Sequence, residues 1–225
     1  MTPLDGNPGA RLTGALLLTS MVAILAGVAI VVPSGLTLNP ADPAAALTAV
    51  RDNVGLHLTE LAFDVLGWLA LTAAGLTLAG SNSVVRPHLA VLAGGLLAAA
   101  GLAGLLHDAG NLALTQLAGE PLGPTNHVAR GTLLTAKWAV NLAGLLWVAA
   151  TAVTAVGLTT SRWLRRAGAF AAASGLAAVT VPWTTGTDSL SSAPEQLGYG
   201  LHLPVMLWYA LLAWQCLRRT APATS

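Results

Sequence analysis

Long apolar stretches alternate with short polar ones along almost the whole chain. Six of them are long enough to cross a bilayer, which takes roughly 20 residues at helical rise. The predicted spans cover residues 12–33, 58–80, 88–108, 131–157, 163–183 and 199–217. Little sequence remains for a soluble domain. The pattern therefore predicts one domain over residues 1–225, an all-α, polytopic integral membrane bundle with six transmembrane helices.

The segments between the spans predict one further helix and two loops. Residues 42–56 begin with Pro and Asp and continue with helical spacing, which predicts a short helix along the membrane surface. Residues 109–130 and 184–198 are rich in Gly, Pro, Ser and Thr and are predicted to be loops. The first apolar stretch is longer than a signal-peptide core and has no clear cleavage site behind it, so we expect a retained helix.

Composition agrees with a membrane protein and excludes several other classes. Hydrophobic residues make up 55% of the chain and charged residues 8%, whereas soluble domains carry roughly 25% charged residues. The formal net charge is +1, and no cluster of basic residues is interleaved with aromatics, so no nucleic-acid partner is expected. The single cysteine, Cys216, excludes an internal disulfide and a CxxC motif.

The distribution of arginines predicts the orientation, because positively charged loops stay in the cytoplasm. Seven arginines fall on the side shared by the two termini: Arg11, Arg86, Arg162, Arg165, Arg166, Arg218 and Arg219. Only Arg51 and Arg130 fall opposite. We therefore predict a bacterial cytoplasmic-membrane protein with both termini inside. All acidic residues except Asp5, and all histidines except His88, then fall at the outer level.

Two spans carry stripes of polar residues that enter from this outer end. Residues at positions i, i+3 and i+7 of the second span, and at i, i+7 and i+11 of the fourth, share one helical face. The stripes consist of His57, Glu60 and Asp64, and of Arg130, Lys137 and Asn141.

Lys137 is the only lysine of the chain and lies within an apolar span. Counted from the outer ends, Asp64 and Lys137 reach similar depths of about 10 Å. A charge in hydrocarbon costs roughly 2.5 to 3.5 kcal/mol, so such residues usually face a bundle interior. We expect Lys137 to point toward Asp64 or Glu60. The alternatives are that this pair only fixes helix register, or that Lys137 snorkels outward.

Two more spans bring polar groups to the same level. The third ends in LLHDAGN, where His107 and Asn111 share a face and Asp108 is adjacent. The sixth begins YGLHLPVM, where His202 and Met206 are one turn apart.

These residues combine two kinds of metal ligand. Imidazole with thioether suits copper, particularly Cu(I), whereas imidazole with carboxylate suits Zn(II), Cu(II) or a proton relay. The predicted metal ligands are His107, His202, Met206, His57 and His127. The predicted buried charge network consists of Asp64, Glu60, Lys137, Asp108 and Asn141. Tryptophans such as Trp138 and Trp147 are predicted to serve packing or as interface anchors.

The stretch ARGTLLTAKWAVNLAGLLWVAATAV resembles the membrane domain of the copper-resistance protein D family. That family carries a Gly, a Leu three residues on and a Lys six residues after the Gly, and Gly131, Leu134 and Lys137 match this pattern. The resemblance covers residues 107–180 and includes the following basic loop and apolar helix. The family has an aromatic residue where this chain has Arg130, and the first two spans are more similar to small uncharacterised six-helix bacterial proteins. The resemblance implies copper handling.

Four functions stay open from the sequence. They are copper handling, a structural or accessory membrane subunit, a redox protein with a single haem b or a quinone, and an intramembrane enzyme. Haem could take axial ligands from His57, His107 or His202. An enzyme would have to work without the GxSG, HExxH or CxxC signatures. The expected partners are the lipid bilayer, a metal ion or small molecule at the outer face, and a membrane or periplasmic protein.

Overall fold

The structure is a computed structural model that describes residues 8–80, 85–159, 161–185 and 192–218. The described residues form seven α-helices: α1 Pro8–Ser34, α2 Pro43–Asp52, α3 Val54–Ala79, α4 Pro87–Leu117, α5 Leu122–Gly157, α6 Arg162–Thr180 and α7 Ser192–Arg218. A 3₁₀ turn, Val181–Thr184, extends α6. All helices except α2 are long and apolar enough to cross a membrane. This confirms the all-α bundle with six spanning helices.

The six spanning helices form a closed ring. Its order is α1, α3, α4, α5, α6 and α7, and the ring closes where α7 packs against α1. Large apolar side chains cover the outer face of the ring. Examples that are at least 65% exposed are Val22, Leu76, Leu106, Val156 and Phe170. Such a surface is suited to lipid rather than to water.

Small residues let the helices approach closely. This is expected in lipid, where there is no hydrophobic driving force for helix association and close packing stabilises the bundle instead. A Cβ atom at Gly75 of α3 would lie 2.5 Å from the backbone nitrogen of Ala98 and from the carbonyl oxygen of Gly94 on α4. One turn further, the missing side chain of Gly101 leaves space for Thr72. The α3 and α4 backbones are therefore in direct contact along this crossing.

The pairing of α6 with α7 uses side-chain hydrogen bonds to main-chain carbonyls. The Ser174 hydroxyl donates to the carbonyl of Leu201 at 2.7 Å, and the Trp208 indole donates to that of Leu164 at 2.9 Å. Because Pro204 has no N–H group, it leaves a carbonyl of the preceding turn without its usual helical partner.

The prediction of a loop over residues 109–130 is wrong. Helix α4 continues to Leu117 and α5 already begins at Leu122. Pro121 and Pro124 do not prevent this, since proline is tolerated at a helix start. At about 1.5 Å per residue, the 36 residues of α5 extend about 54 Å, well beyond a hydrocarbon core of about 30 Å. The α4–α5 hairpin therefore projects past one membrane surface.

Helix α2 packs against this projecting hairpin. The Asp42 side chain caps its start by accepting from the backbone N–H of Ala45 at 3.0 Å. A small second core joins α2 to the hairpin and contains Ala46, Leu47, Val50, Leu114, Ala118, Ala129 and Leu133. The predicted helix over 42–56 is thus present over Pro43–Asp52, with α4 and α5 against its buried face.

Arg51 fastens the end of α2 to the end of α4. Its Nε donates to the carbonyl of Ala118 at 2.6 Å, and its Nη2 donates to the carbonyl of Glu120 at 3.1 Å. Carbonyls at a helix C-terminus have no intrahelical donor, so a cation there satisfies them and interacts favourably with the helix dipole.

The predicted loop over 184–198 is shorter than expected, because α7 begins at Ser192. Residues 186–191 lie outside the described residues, as do Asp5, Asp188 and Arg219.

Candidate functional site in a cavity within the helix ring

A cavity of about 540 Å³ lies inside the ring, where α3 and α5 begin and α4 approaches its end. All six spanning helices contribute to its wall, together with residues of the segment 36–40 between α1 and α2. Its acidic, basic and histidine lining residues are His57, Glu60, Asp64, His107, Arg130, Lys137 and His202. The cavity therefore collects polar groups that the sequence distributes over four helices.

Aromatic rings fill the ring interior beside the cavity. Trp147 packs edge-on against Trp68 at 5.8 Å between centroids and against His202 at 5.2 Å, and lies 6.0 Å from Tyr209. Trp147 is almost completely buried. These rings connect α3, α5 and α7 across the bundle, so they fix the wall on which His202 lies.

Two histidines and one asparagine connect α3, α4 and α5 by hydrogen bonds. His57 Nε2 lies 3.3 Å from the Asn111 carbonyl oxygen, and His107 Nδ1 lies 2.9 Å from the Ala136 carbonyl oxygen. A carbonyl can only accept, so each of these ring nitrogens carries the proton. His107 Nε2 is then an acceptor, and the Asn111 amide donates to it at 2.9 Å.

This network leaves the other nitrogen of His57 as a buried acceptor. His57 is 1% exposed, and its Nδ1 receives no hydrogen bond from the described part of the chain. Oε1 of Glu60 lies 3.9 Å from this nitrogen, and the two residues form an ion pair only if the imidazole is protonated. Glu60 is also buried, and its Oε2 has no hydrogen-bond partner among the described residues.

Asp64 and Asp108 meet His107 where α3 packs on α4. One ligand atom of each residue lies within 4.8 Å of those of the other two. Asp108 is 1% exposed, and no amide, hydroxyl or basic group in the described ranges donates a hydrogen bond to either of its carboxylate oxygens, which can share a hydrogen bond with Asp64 only when one of the two carboxyl groups is protonated. A buried carboxylate is costly unless a proton or a cation compensates it. The close approach of α1 contributes too, since a Cβ at Gly27 would lie 3.4 Å from Oδ1 of Asp64.

The group formed by Asp64, His107 and Asp108 offers two oxygens and one nitrogen. Such a set suits Zn(II) or Cu(II) better than Cu(I), which prefers sulfur. Its histidine already uses both ring nitrogens, so His107 could ligate through Nε2 only after the Asn111 amide has turned away.

His202 and Met206 lie one turn apart on α7, as expected, and both line the cavity. No hydrogen bond to either ring nitrogen of His202 is found within the described ranges. Glycines give the ring its space: a Cβ at Gly175 would lie 3.7 Å from Nδ1 of His202, and one at Gly144 would lie 3.8 Å from Cε1. Like His57 at Nδ1, His202 therefore lines the cavity with a ring nitrogen that accepts no hydrogen bond from the described residues.

The hydrogen bonds of the three histidines also determine which of them could bind haem iron. An axial histidine needs one ring nitrogen for iron. Both nitrogens of His107 are engaged, so a haem ligated by His107 does not fit these hydrogen bonds. His202 could ligate iron, and so could His57 through Nδ1, without breaking a hydrogen bond of the described residues.

The basic stripe of α5 also faces the cavity. Arg130, Leu134 and Lys137 all line it, so the expected inward direction of Lys137 agrees with the structure. Lys137 shares the cavity with Glu60 and Asp64.

Asn141, predicted as a member of the buried charge network, forms hydrogen bonds to a different part of the bundle. Its Nδ2 donates to the carbonyl of Val179 at 2.9 Å, and its Oδ1 accepts from the indole N–H of Trp183 at 2.9 Å. Trp183 also packs edge-on against Trp138 at 5.3 Å. Asn141 therefore joins α5 to the end of α6, where Pro182 interrupts the regular helix.

His127 does not join the site. It lies exposed near the start of α5 and is not among the residues that line the cavity. The reason is that α5 begins at Leu122, which places His127 on the projecting hairpin rather than at the mouth of the bundle. His88 is exposed as well, at the start of α4 and thus at the other end of the ring.

Trp68 and Trp147 are two of the lining residues that the sequence pattern does not assign to the site. Trp68 follows Asp64 by four residues and continues the stripe of His57 and Glu60, so helical spacing alone could have identified it. Trp147 was assigned to packing, although it also contributes to the cavity wall.

Comparison of the chain with models of known protein families, with curated proteins and with solved structures finds no match.

Proposed function

We propose that this chain is a metal-binding membrane protein whose cavity takes up a transition-metal ion, with copper as the first candidate. The observation that carries the proposal is Asp108. Its carboxylate is buried within 4.8 Å of ligand atoms of Asp64 and His107, which line the cavity, and it accepts no hydrogen bond from an amide, hydroxyl or basic group of the described residues. A bound cation would compensate the charge that burial makes costly.

Copper is favoured because the cavity wall carries two different ligand sets. The carboxylates with His107 suit Cu(II), and His202 with Met206 suits Cu(I). Asp64 and His107 of the first set and both residues of the second set line the same cavity, and Asp108 lies next to Asp64 and His107 behind this wall. The resemblance of Gly131, Leu134 and Lys137 to copper-resistance protein D supports the same metal.

The test is metal retention by purified protein in detergent. Samples are exposed separately to Cu(II), to Cu(I) under reducing conditions and to Zn(II), desalted, and analysed for metal per chain. We expect the wild type to retain copper, and the His107→Ala/His202→Ala double variant to lose most of it, because it removes one imidazole from each ligand set. The matched control is His88→Ala/His127→Ala, which removes two exposed imidazoles outside the cavity and is expected to behave as wild type.

Each alternative has its own result. Equal copper content in both double variants and the wild type would discard the cavity as the site. Retention of Zn(II) but of neither copper ion would overturn the choice of metal. No retained metal at all would favour a structural or accessory subunit. A Soret band after haem-replete expression, lost in His202→Ala, would favour the redox function.

The proposal includes the orientation, with both termini in the cytoplasm and the cavity toward the outside. The positive-inside rule supports it, and the two arginines that depart from the rule have local roles. Arg51 caps α4, and Arg130 lines the cavity. These local roles account for the position of both arginines on the outer side, so the two residues do not contradict the proposed orientation.

Orientation can be measured by labelling with a membrane-impermeant maleimide in a Cys216→Ser background. His88 and His127 are both exposed and lie at opposite ends of the ring. We expect His127→Cys to react in intact cells and His88→Cys only after lysis. The reverse pattern would place the cavity toward the cytoplasm.

A further inference from the structure

The cavity is far larger than a metal ion requires. Its volume of about 540 Å³ lies within the range of roughly 300 to 1,000 Å³ that is typical of pockets for organic ligands. A metal ion with one or two waters would occupy a small part of it, since a water takes up about 30 Å³. The remaining space fits an organic molecule.

Opposite charges line the cavity on the two sides of α4. Glu60 and Asp64 contribute carboxylates from α3, and Arg130 and Lys137 contribute cations from α5. Helices α3 and α5 both pack against α4, so the two charge types are held one helix apart. A ligand that complements this lining carries a positive and a negative group on the same molecule.

Apart from Tyr199 and His202, the residues that α1 and α7 contribute to the cavity wall are apolar. Val28 and Val31 line it from α1, and Leu203 and Met206 line it from α7. An aliphatic part of a ligand would be stabilised against this wall.

We propose that the cavity binds a zwitterionic amphiphile with an ammonium and a phosphate group. The ammonium lies toward Asp64 and Glu60, the phosphate lies between Arg130 and Lys137, and the aliphatic part lies against α1 and α7. This inference goes beyond the metal site. It depends on the charges that α3 and α5 contribute to the cavity. Ligand binding should be measured on metal-free protein, because a cation bound at Asp64 would compete with the ammonium group.

The test uses chelator-treated protein in detergent and native mass spectrometry to count retained lipid. Phosphatidylethanolamine is compared with phosphatidylglycerol of the same acyl chains, which lacks the ammonium. We expect phosphatidylethanolamine to be retained and phosphatidylglycerol to bind on the order of tenfold more weakly. Lys137→Met and Asp64→Asn are each expected to weaken phosphatidylethanolamine binding by a similar factor.

The control variants keep the result interpretable. Arg86→Met and Asp52→Asn remove an exposed cation and an exposed carboxylate away from the cavity and should retain the lipid as wild type does. Lys137→Arg should retain it too, which shows that a loss in Lys137→Met reflects charge and not misfolding. Size-exclusion elution identifies any variant that fails to fold.

Equal retention of the two lipids, or equal losses in the cavity and control variants, would overturn the proposal. Free phosphoethanolamine tests whether the cavity recognises the intact lipid or only its headgroup. Competition by it at concentrations similar to those of the lipid would overturn the role of the aliphatic part. Failure of lipid binding would leave metal retention by the same preparations unchanged, so the two proposals fail separately.

Discussion

Gly94→Ala is expected to lower the free energy of unfolding by about 1 to 3 kcal/mol, the usual cost of overpacking, and to lower the thermal midpoint in detergent. A Cβ atom at this position would collide with the carbonyl oxygen of Gly75 and would lie 2.6 Å from the backbone nitrogen of Ala79. Both obstacles are main-chain atoms of α3. The only remedy is to move α3 away from α4, which also separates Asp64 from Asp108.

The neighbouring glycine is the matched control. A Cβ at Gly95 would meet no atom within 4 Å. Gly95→Ala should therefore be neutral or stabilise α4 by up to about 1 kcal/mol, the difference in helix propensity. Equal effects of the two substitutions on the thermal midpoint would contradict the close α3–α4 contact and, with it, the placement of the carboxylates.

Asp108→Asn is expected to have opposite effects on stability and on metal binding. In metal-free protein it replaces a buried carboxylate without a donor by a neutral amide that can donate to Asp64. We expect a gain of about 1 to 3 kcal/mol in the free energy of unfolding, the penalty of an unsatisfied buried group. The same change removes a ligand, so the variant should no longer be stabilised by the metal.

Thermal unfolding with and without metal measures both effects in one experiment. At a free metal concentration of about 100 times Kd, the wild type should gain about 2.7 kcal/mol, and Asp108→Asn should gain little or nothing. The control is Asp52→Asn, since Asp52 is an exposed carboxylate outside the cavity. If Asp108→Asn destabilised the metal-free protein yet kept its response to metal, the carboxylate would serve packing and not binding.

The elements that were predictable from the sequence are those set by local hydrophobicity. An apolar run of sufficient length forms a spanning helix wherever its neighbours lie, because every backbone polar group must be satisfied within the segment. The stripes containing Asp64 and Lys137 were predictable as well, because residues at helical spacing share a face. That both face inward agrees with the cost of a charge in lipid.

The ends of α4 and α5 could not be read from composition. Residues 109–130 contain the Gly, Pro and Thr typical of loops, yet contacts of Leu114 and Ala129 with α2 extend both helices. Local propensity is weak, and packing of a distant segment overrides it. The position of His127 depends on the same extension.

By itself, the sequence determined an all-α bundle of six spanning helices and the level at which most polar residues gather, since both follow from the length and period of apolar runs. Only the tertiary structure decided which groups meet. The closure of the ring, the rotation of each helix within it and the missing side chain of Gly27 bring Asp64 to Asp108 and His107, and turn His202 toward a common cavity. These contacts depend on relative helix positions, which are set by small residues far apart in the chain.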